Sequence, residues 1–109
     1  YLNSKIRNKN IFLPLLTTEC SYLGYPIKAQ TKEYKQKIIK ALTECGVETR
    51  EMFPCLARQE AYSLGLTNTE IQKQLPISKM IDDLYLYLPI HHHLTTEQLD
   101  YMIDVINTQ

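Results

Sequence analysis

The stretch TKEYKQKIIKALTECGVETR, residues 31–50, contains one change of period, and that change decides the fold class. From Lys32 onward Tyr34, Ile38, Leu42 and Cys45 recur on one helical face, and Ile39 and Ala41 widen it. Thr31 stands where an N-cap hydroxyl accepts from the first turn. Gly46 stands where a left-handed residue ends a helix. Val47-Glu48-Thr49-Arg50 follows at once as an extended segment, with the strand emerging at Arg50. On the other side of the helix, Ser21 to Ala29 has the aromatic and branched residues of a strand, and Pro26 favours an edge or a bulge. The unit is therefore strand, helix, strand, joined too tightly for a hairpin and suited to an α/β sandwich.

Downstream, Met52 to Leu66 is mixed: Pro54 breaks regularity, and a short helix is expected over Arg58 to Leu64. Thr67 and Glu70 form a capping-box pattern for a short helix toward Gln74. Pro76 stops it and opens another over Ile77 to Asp83, with a narrow stripe of Ile77, Met80, Ile81 and Leu84. Tyr85 to Ile90 reads as a third strand, central and covered on both faces. Thr95 and Gln98 cap the last helix, which buries Leu99, Met102, Ile103 and Ile106. The expected fold is α/β, a short sheet of about three strands backed by helices. Tyr1 to Asn10, polar and basic, reads as a helix end or tether that once had something before it.

Composition excludes several partners. A chain of 109 residues suits one domain with one modest core. Twelve Lys and Arg balance twelve Asp and Glu, so no long-range field draws a nucleic acid or an acidic membrane surface. No apolar run nears the roughly 20 residues that span a bilayer. Cys20, Cys45 and Cys55 are odd in number and lack the Cys-x-x-Cys spacing, which argues for reduced thiols and a cytoplasmic location.

The chain lacks a complete active site of its own. His91-His92-His93 could offer only two side chains to one ion in extended backbone, so no metal site is assigned and solvated histidines are expected. No nucleophile elbow or cysteine-protease pattern surrounds Ser21, Ser63, Cys45 or Cys55, and Cys45 is expected as core filler. Asp82 and Asp83, about 100° apart on a helix, do not make a shared acid/base pair and read as a solvated helix end. The three glycines form no phosphate-cradling loop. Arg50 differs: it ends a strand before an irregular segment, where α/β folds place ligand contacts, and a guanidinium grips a carboxylate or phosphate with two hydrogen bonds.

The order of these segments resembles the C-terminal part of the DegT/DnrJ/EryC1/StrS sugar aminotransferases, which use pyridoxal phosphate. The likeness is carried by Ser21-Tyr22-Leu23-Gly24-Tyr25-Pro26-Ile27, similar to an aromatic-x-x-aromatic-Pro-Ile strand, and by Gly46-Val47-Glu48-Thr49-Arg50, similar to Gly-Ile-x-Thr-Arg. Arg58-Gln59-Glu60-Ala61-Tyr62 is similar to a Gln-Pro-Ala-Tyr segment. Leu86 to Gln98 is similar to Leu-x-Leu-Pro-x-His-x-x-Leu-Thr-x-Glu-Gln.

The resemblance implies a type I aminotransferase fold. Residues 1–20 would connect from an absent N-terminal cofactor domain, and residues 21–109 would form the small domain, in a homodimer. It implies transfer of an amino group, from glutamate, to a nucleotide-linked keto sugar on pyridoxal 5'-phosphate, with Arg50, Arg58 and His91 approaching substrate. No catalytic or cofactor-binding residue is assigned within this chain, and no cofactor is expected on it alone. Phe53 to Arg58 departs from the family's Pro-Leu-His run. Relatives that carry His for the cofactor lysine dehydrate the sugar instead, and a free-standing ligand-binding or interaction module is the competing reading from another class.

Overall fold

The computed structural model describes residues 1–15, 21–52, 54–59, 65 and 67–109. Helix α1 (Leu2–Lys5) and strand β1 (Ile11–Phe12) precede strand β2 (Tyr25–Ala29) and helix α2 (Lys32–Glu44). Strand β3 (Arg50–Glu51), a 3-10 turn at Leu56–Arg58, helices α3 (Asn68–Gln74) and α4 (Pro76–Leu84), strand β4 (Tyr85–Leu88) and helix α5 (Thr96–Asn107) follow.

Local signals set the helices. Thr31 accepts from the Tyr34 N–H at 3.1 Å at the start of α2, and Gly46 lies at φ +76° just past its end. Thr67 with Glu70, and Thr95 with Gln98, form complete capping boxes on α3 and α5. Pro76 opens α4.

The sheet has four strands in the order β1-β2-β4-β3, each pair antiparallel. It gains β1 over the three strands expected from sequence. Ile11 and Phe12 pair with Ala29 and Lys28, a contact that exists only once the chain has folded back. The second strand is Arg50–Glu51: it emerges at Arg50 as expected, but Arg50 opens the strand and does not end it. Because β1 reaches only Lys28 and Ala29, the side of Pro26 away from β4 carries no strand among the described residues, which suits a residue without an N–H.

Alternation along β2 and β4 places Tyr25, Ile27, Ala29, Leu86 and Leu88 on one face, all buried. Against them pack Ile38 and Leu42 of α2 and Met102, Ile103 and Ile106 of α5. Each fully buried aliphatic side chain contributes about 1.5–3 kcal/mol relative to exposure. Leu2, Ile6 and Ile11 belong to the same core. The two ends of the chain are also laced by hydrogen bonds: Tyr1 donates to Asp100, the Arg7 N–H to Asn107 Oδ1 at 2.7 Å, and Asn8 Nδ2 to the Ile106 carbonyl at 2.6 Å.

Two expectations fail here. Cys45 is exposed rather than core filler, because the helix has already ended at Glu44 and the thiol sits on its C-cap. Asp82 and Asp83 are not a solvated helix end; their side chains are 12% exposed and both hold Arg58. In the mixed region the 3-10 turn buries Cys55 and Ala57 against Ile71 of α3. Of the helix expected over Arg58 to Leu64, Arg58 is instead the last residue of this turn and Gln59 is extended, while residues 60 to 64 lie outside the described residues, as does Cys20. No helix among the described residues is long and apolar enough to cross a membrane.

Candidate functional site

The sheet face opposite the helices is formed by the other half of the alternation. Tyr85 and Tyr87 of β4 and Pro26 and Lys28 of β2 are half-buried there, and Pro26 and Arg50 flank Tyr87 in register. Directly paired residues of antiparallel strands project from the same face, so the Arg50 and Tyr87 side chains leave the sheet on the same side. They line an open cleft of about 510 Å³ with Glu48, Glu51 and His91.

Gly24 forms the wall behind the ring. A Cβ at this position would lie 2.8 Å from Tyr87 Cδ1 and 2.9 Å from Cγ, so only glycine lets the ring take this place. His91 Nδ1 accepts the His93 N–H at 3.2 Å, and its Nε2 has no hydrogen-bond partner among the described residues. Arg50 Nε reaches Glu48 Oε1 at 3.4 Å, with both side chains largely exposed. A shallower hollow of about 450 Å³, apolar with Val47, Leu94, Leu99 and Met102, adjoins the cleft and shares Glu48 and Pro89 with it.

Arg50 and His91, singled out from sequence, thus meet in one cleft. Arg58 lies elsewhere: its Nη1 donates to Asp82 Oδ2 at 2.8 Å and to Asp83 Oδ1 at 3.0 Å. The hydrogen bond to Asp83 raises the guanidinium's already high pKa. Burial alone would raise the Asp83 carboxyl, but Lys79 at 2.6 Å and Arg58 hold it down at about 2. Lys35 is buried beside this cluster, its Nζ 2.8 Å from the Asp82 carbonyl and 3.4 Å from Glu51 Oε1.

The ring centroids of His91 and His93 stand 6.4 Å apart. Among the described residues, no three His, Cys, Asp or Glu side chains are grouped so as to hold one ion. Tyr87, Gly24 and Lys35 escaped the sequence reading. The signal for Tyr87 was the alternation of Leu86 and Leu88 around it, while Lys35 carried none, since it sits among other lysines of a helix.

The family model of the DegT/DnrJ/EryC1/StrS aminotransferase family matches residues 4–107, and the chain belongs to that family. No curated protein matches it closely enough to count as a relative. Solved structures agree in fold. The aminotransferase TlmJ from Streptoalloteichus hindustanus superposes with a TM-score of 0.75 at 19% identity, over 92% of this chain and 26% of its own. The proposed sugar aminotransferase Spr1654 from Streptococcus pneumoniae, in its PMP form, gives 0.81 at 23% identity, over 98% and 28%. A 3-amino-5-hydroxybenzoic acid synthase gives 0.74 at 15%, over 98% and 31%. The chain therefore spans between about a quarter and a third of the structures it matches. It has the α/β fold of these aminotransferases, an antiparallel sheet backed by helices.

Proposed function

We propose that this chain is the small C-terminal domain of a longer aminotransferase that uses pyridoxal phosphate to move an amino group from glutamate to the keto group of a nucleotide-linked sugar. The donor leaves as its keto acid and the sugar ketone becomes an amine. Residues 1–20 would lead in from the cofactor domain and residues 21–109 form the small domain, in a cytoplasmic homodimer. The observation that carries this reading is the meeting of Arg50 and His91 in one open cleft of a chain that belongs to an aminotransferase family.

Bound pyridoxal phosphate supplies the electron sink for amine exchange. The residues of this cleft do not fit the cofactor by themselves, because no lysine lines it among the described residues. The covalent anchor belongs to the preceding domain. Arg50 and His91 would close the substrate's side of the site, offering a guanidinium fork and an imidazole nitrogen as hydrogen-bonding groups. Arg58 would reach substrate only by leaving Asp82 and Asp83, and its contribution is to hold the chain after β3 against α4.

The test is to determine the coding sequence upstream of Tyr1 and assay the longer protein for glutamate-dependent conversion of a nucleotide-linked keto sugar to its amine by mass spectrometry. A preceding α/β domain with a cofactor lysine and turnover is the expected result. Histidine at that position with loss of water from the sugar would shift the reaction to dehydration, and absence of the domain would end the proposal.

A further inference from the structure

The cleft has a charge balance that discriminates among the parts of such a substrate. Its Glu48 carboxylate is matched by Arg50 at 3.4 Å, whereas Glu51, which pairs with Leu86, turns its carboxylate to the helix side, where the buried Lys35 lies 3.4 Å away. An incoming diphosphate, or an amino donor with two carboxylates of its own, would meet Glu48 as well as Arg50, and like charges at close range oppose entry. A neutral polyhydroxylated ring meets no such opposition. Each hydroxyl both donates and accepts, so it can donate to a carboxylate and accept from a guanidinium or an imidazole N–H.

The geometry of the cleft supplies the remaining element. Tyr87 lies between Pro26 and Arg50 in register, on the face opposite α2 and α5, and the missing Cβ of Gly24 leaves room for its ring. The face of an aromatic ring is electron-rich and takes the electropositive C–H side of a saturated ring. An aromatic ring, the Glu48 carboxylate and a guanidinium line a volume of about 510 Å³, within the range of small-molecule sites.

We propose that this cleft binds the sugar ring of the substrate, stacked on Tyr87 with its hydroxyls on Glu48, Arg50 and His91, and takes neither the diphosphate nor the amino donor. The assignment deepens the function proposed above and rests on it for the identity of the sugar's carrier. Tyr87 is the stacking residue, and Gly24 is a positioning residue that acts through it.

Saturation-transfer NMR on the 109-residue chain tests this with methyl α-glucopyranoside as the neutral ring, and with inorganic diphosphate and glutamate as competitors. Millimolar binding is expected, with saturation strongest on the ring C–H protons. Tyr87→Leu should cut it about fivefold, in line with aromatic contacts of this kind, while Tyr87→Phe, which keeps the ring, should retain it. Backbone amide spectra of the variants establish that each is folded. Absence of pyranoside binding, indifference to Tyr87→Leu in a folded protein, or displacement by glutamate or diphosphate would each overturn the assignment. The outcome is independent of turnover: pyranoside binding through Tyr87 in a chain whose longer form transfers no amine would remove the proposed reaction and leave the sugar site standing.

Discussion

Lys35 Nζ donates to the carbonyl oxygen of Asp82 at 2.8 Å from a side chain that is 2% exposed. Asp82 belongs to the last turn of α4, where carbonyls have lost their helical partners, and α4 has no basic residue of its own in that turn. A cation from α2 therefore serves as the cap of another helix and meets the negative end of its dipole. Lys35→Met keeps the apolar stem and removes the donor, leaving a buried carbonyl unpaired. Urea unfolding at neutral pH should show a loss of about 1–3 kcal/mol.

Gly24→Ala should destabilise the domain through Tyr87 rather than through backbone strain. The added carbon would stand 2.8 Å from the ring, and moving the ring or the loop is an overpacking cost of about 1–3 kcal/mol. In the Tyr87→Ala background the same substitution should cost much less, so a double-mutant cycle reads the coupling directly. Equal costs in both backgrounds would place the effect elsewhere.

The Asp83 carboxyl, held at about 2 against an ordinary 3.8, ties stability to acid. Its folded pKa lies below the unfolded one, so its contribution is fully present above about 3.8 and is lost as pH falls through about 2. Allowing for partial exposure, the effect amounts to about 1–2 kcal/mol. Asp83→Asn should be less stable than the parent at neutral pH, and the gap should narrow as the two are titrated toward pH 2 in thermal melts.

Arg50→Ala should leave the fold intact, since the side chain is 80% exposed and its ion pair with Glu48 is exposed as well. In the longer enzyme it should weaken kcat/KM for the sugar by the loss of one charge-assisted contact, about 1.5–3 kcal/mol. Unchanged kinetics would reduce Arg50 to a surface residue.

What could be read from sequence followed the range of the forces involved. The ends of α2, α3 and α5 depend on residues three or four apart, so Thr31, Thr67 and Thr95 announce them. Strand β1 cannot be read that way: Ile11 and Phe12 are extended because Ala29 and Lys28 lie opposite. The cleft was half readable, since Arg50 and His91 stand at segment ends, whereas Tyr87 joins Arg50 through cross-strand register and Gly24 through its contact with the Tyr87 ring. Asp82 and Asp83 were misjudged for a related reason. Adjacent helical carboxylates do diverge, but one guanidinium arriving from the 3-10 turn spans both.

The central pairing of β2 with β4 also governs the order in which the domain can be made. Tyr25 waits for Leu88, and Tyr1 for Asp100, so the middle of the sheet and the seam between the ends close only after nearly the whole chain is available. Contacts so distant in sequence carry loop-closure entropy and slow the search. On the ribosome α2 can form early as an isolated capped helix, but its apolar face stays uncovered until β4 and α5 emerge. A pause in synthesis before residue 85 would hold that face open to chaperones, making the last quarter of the chain the step that commits the domain to its native state.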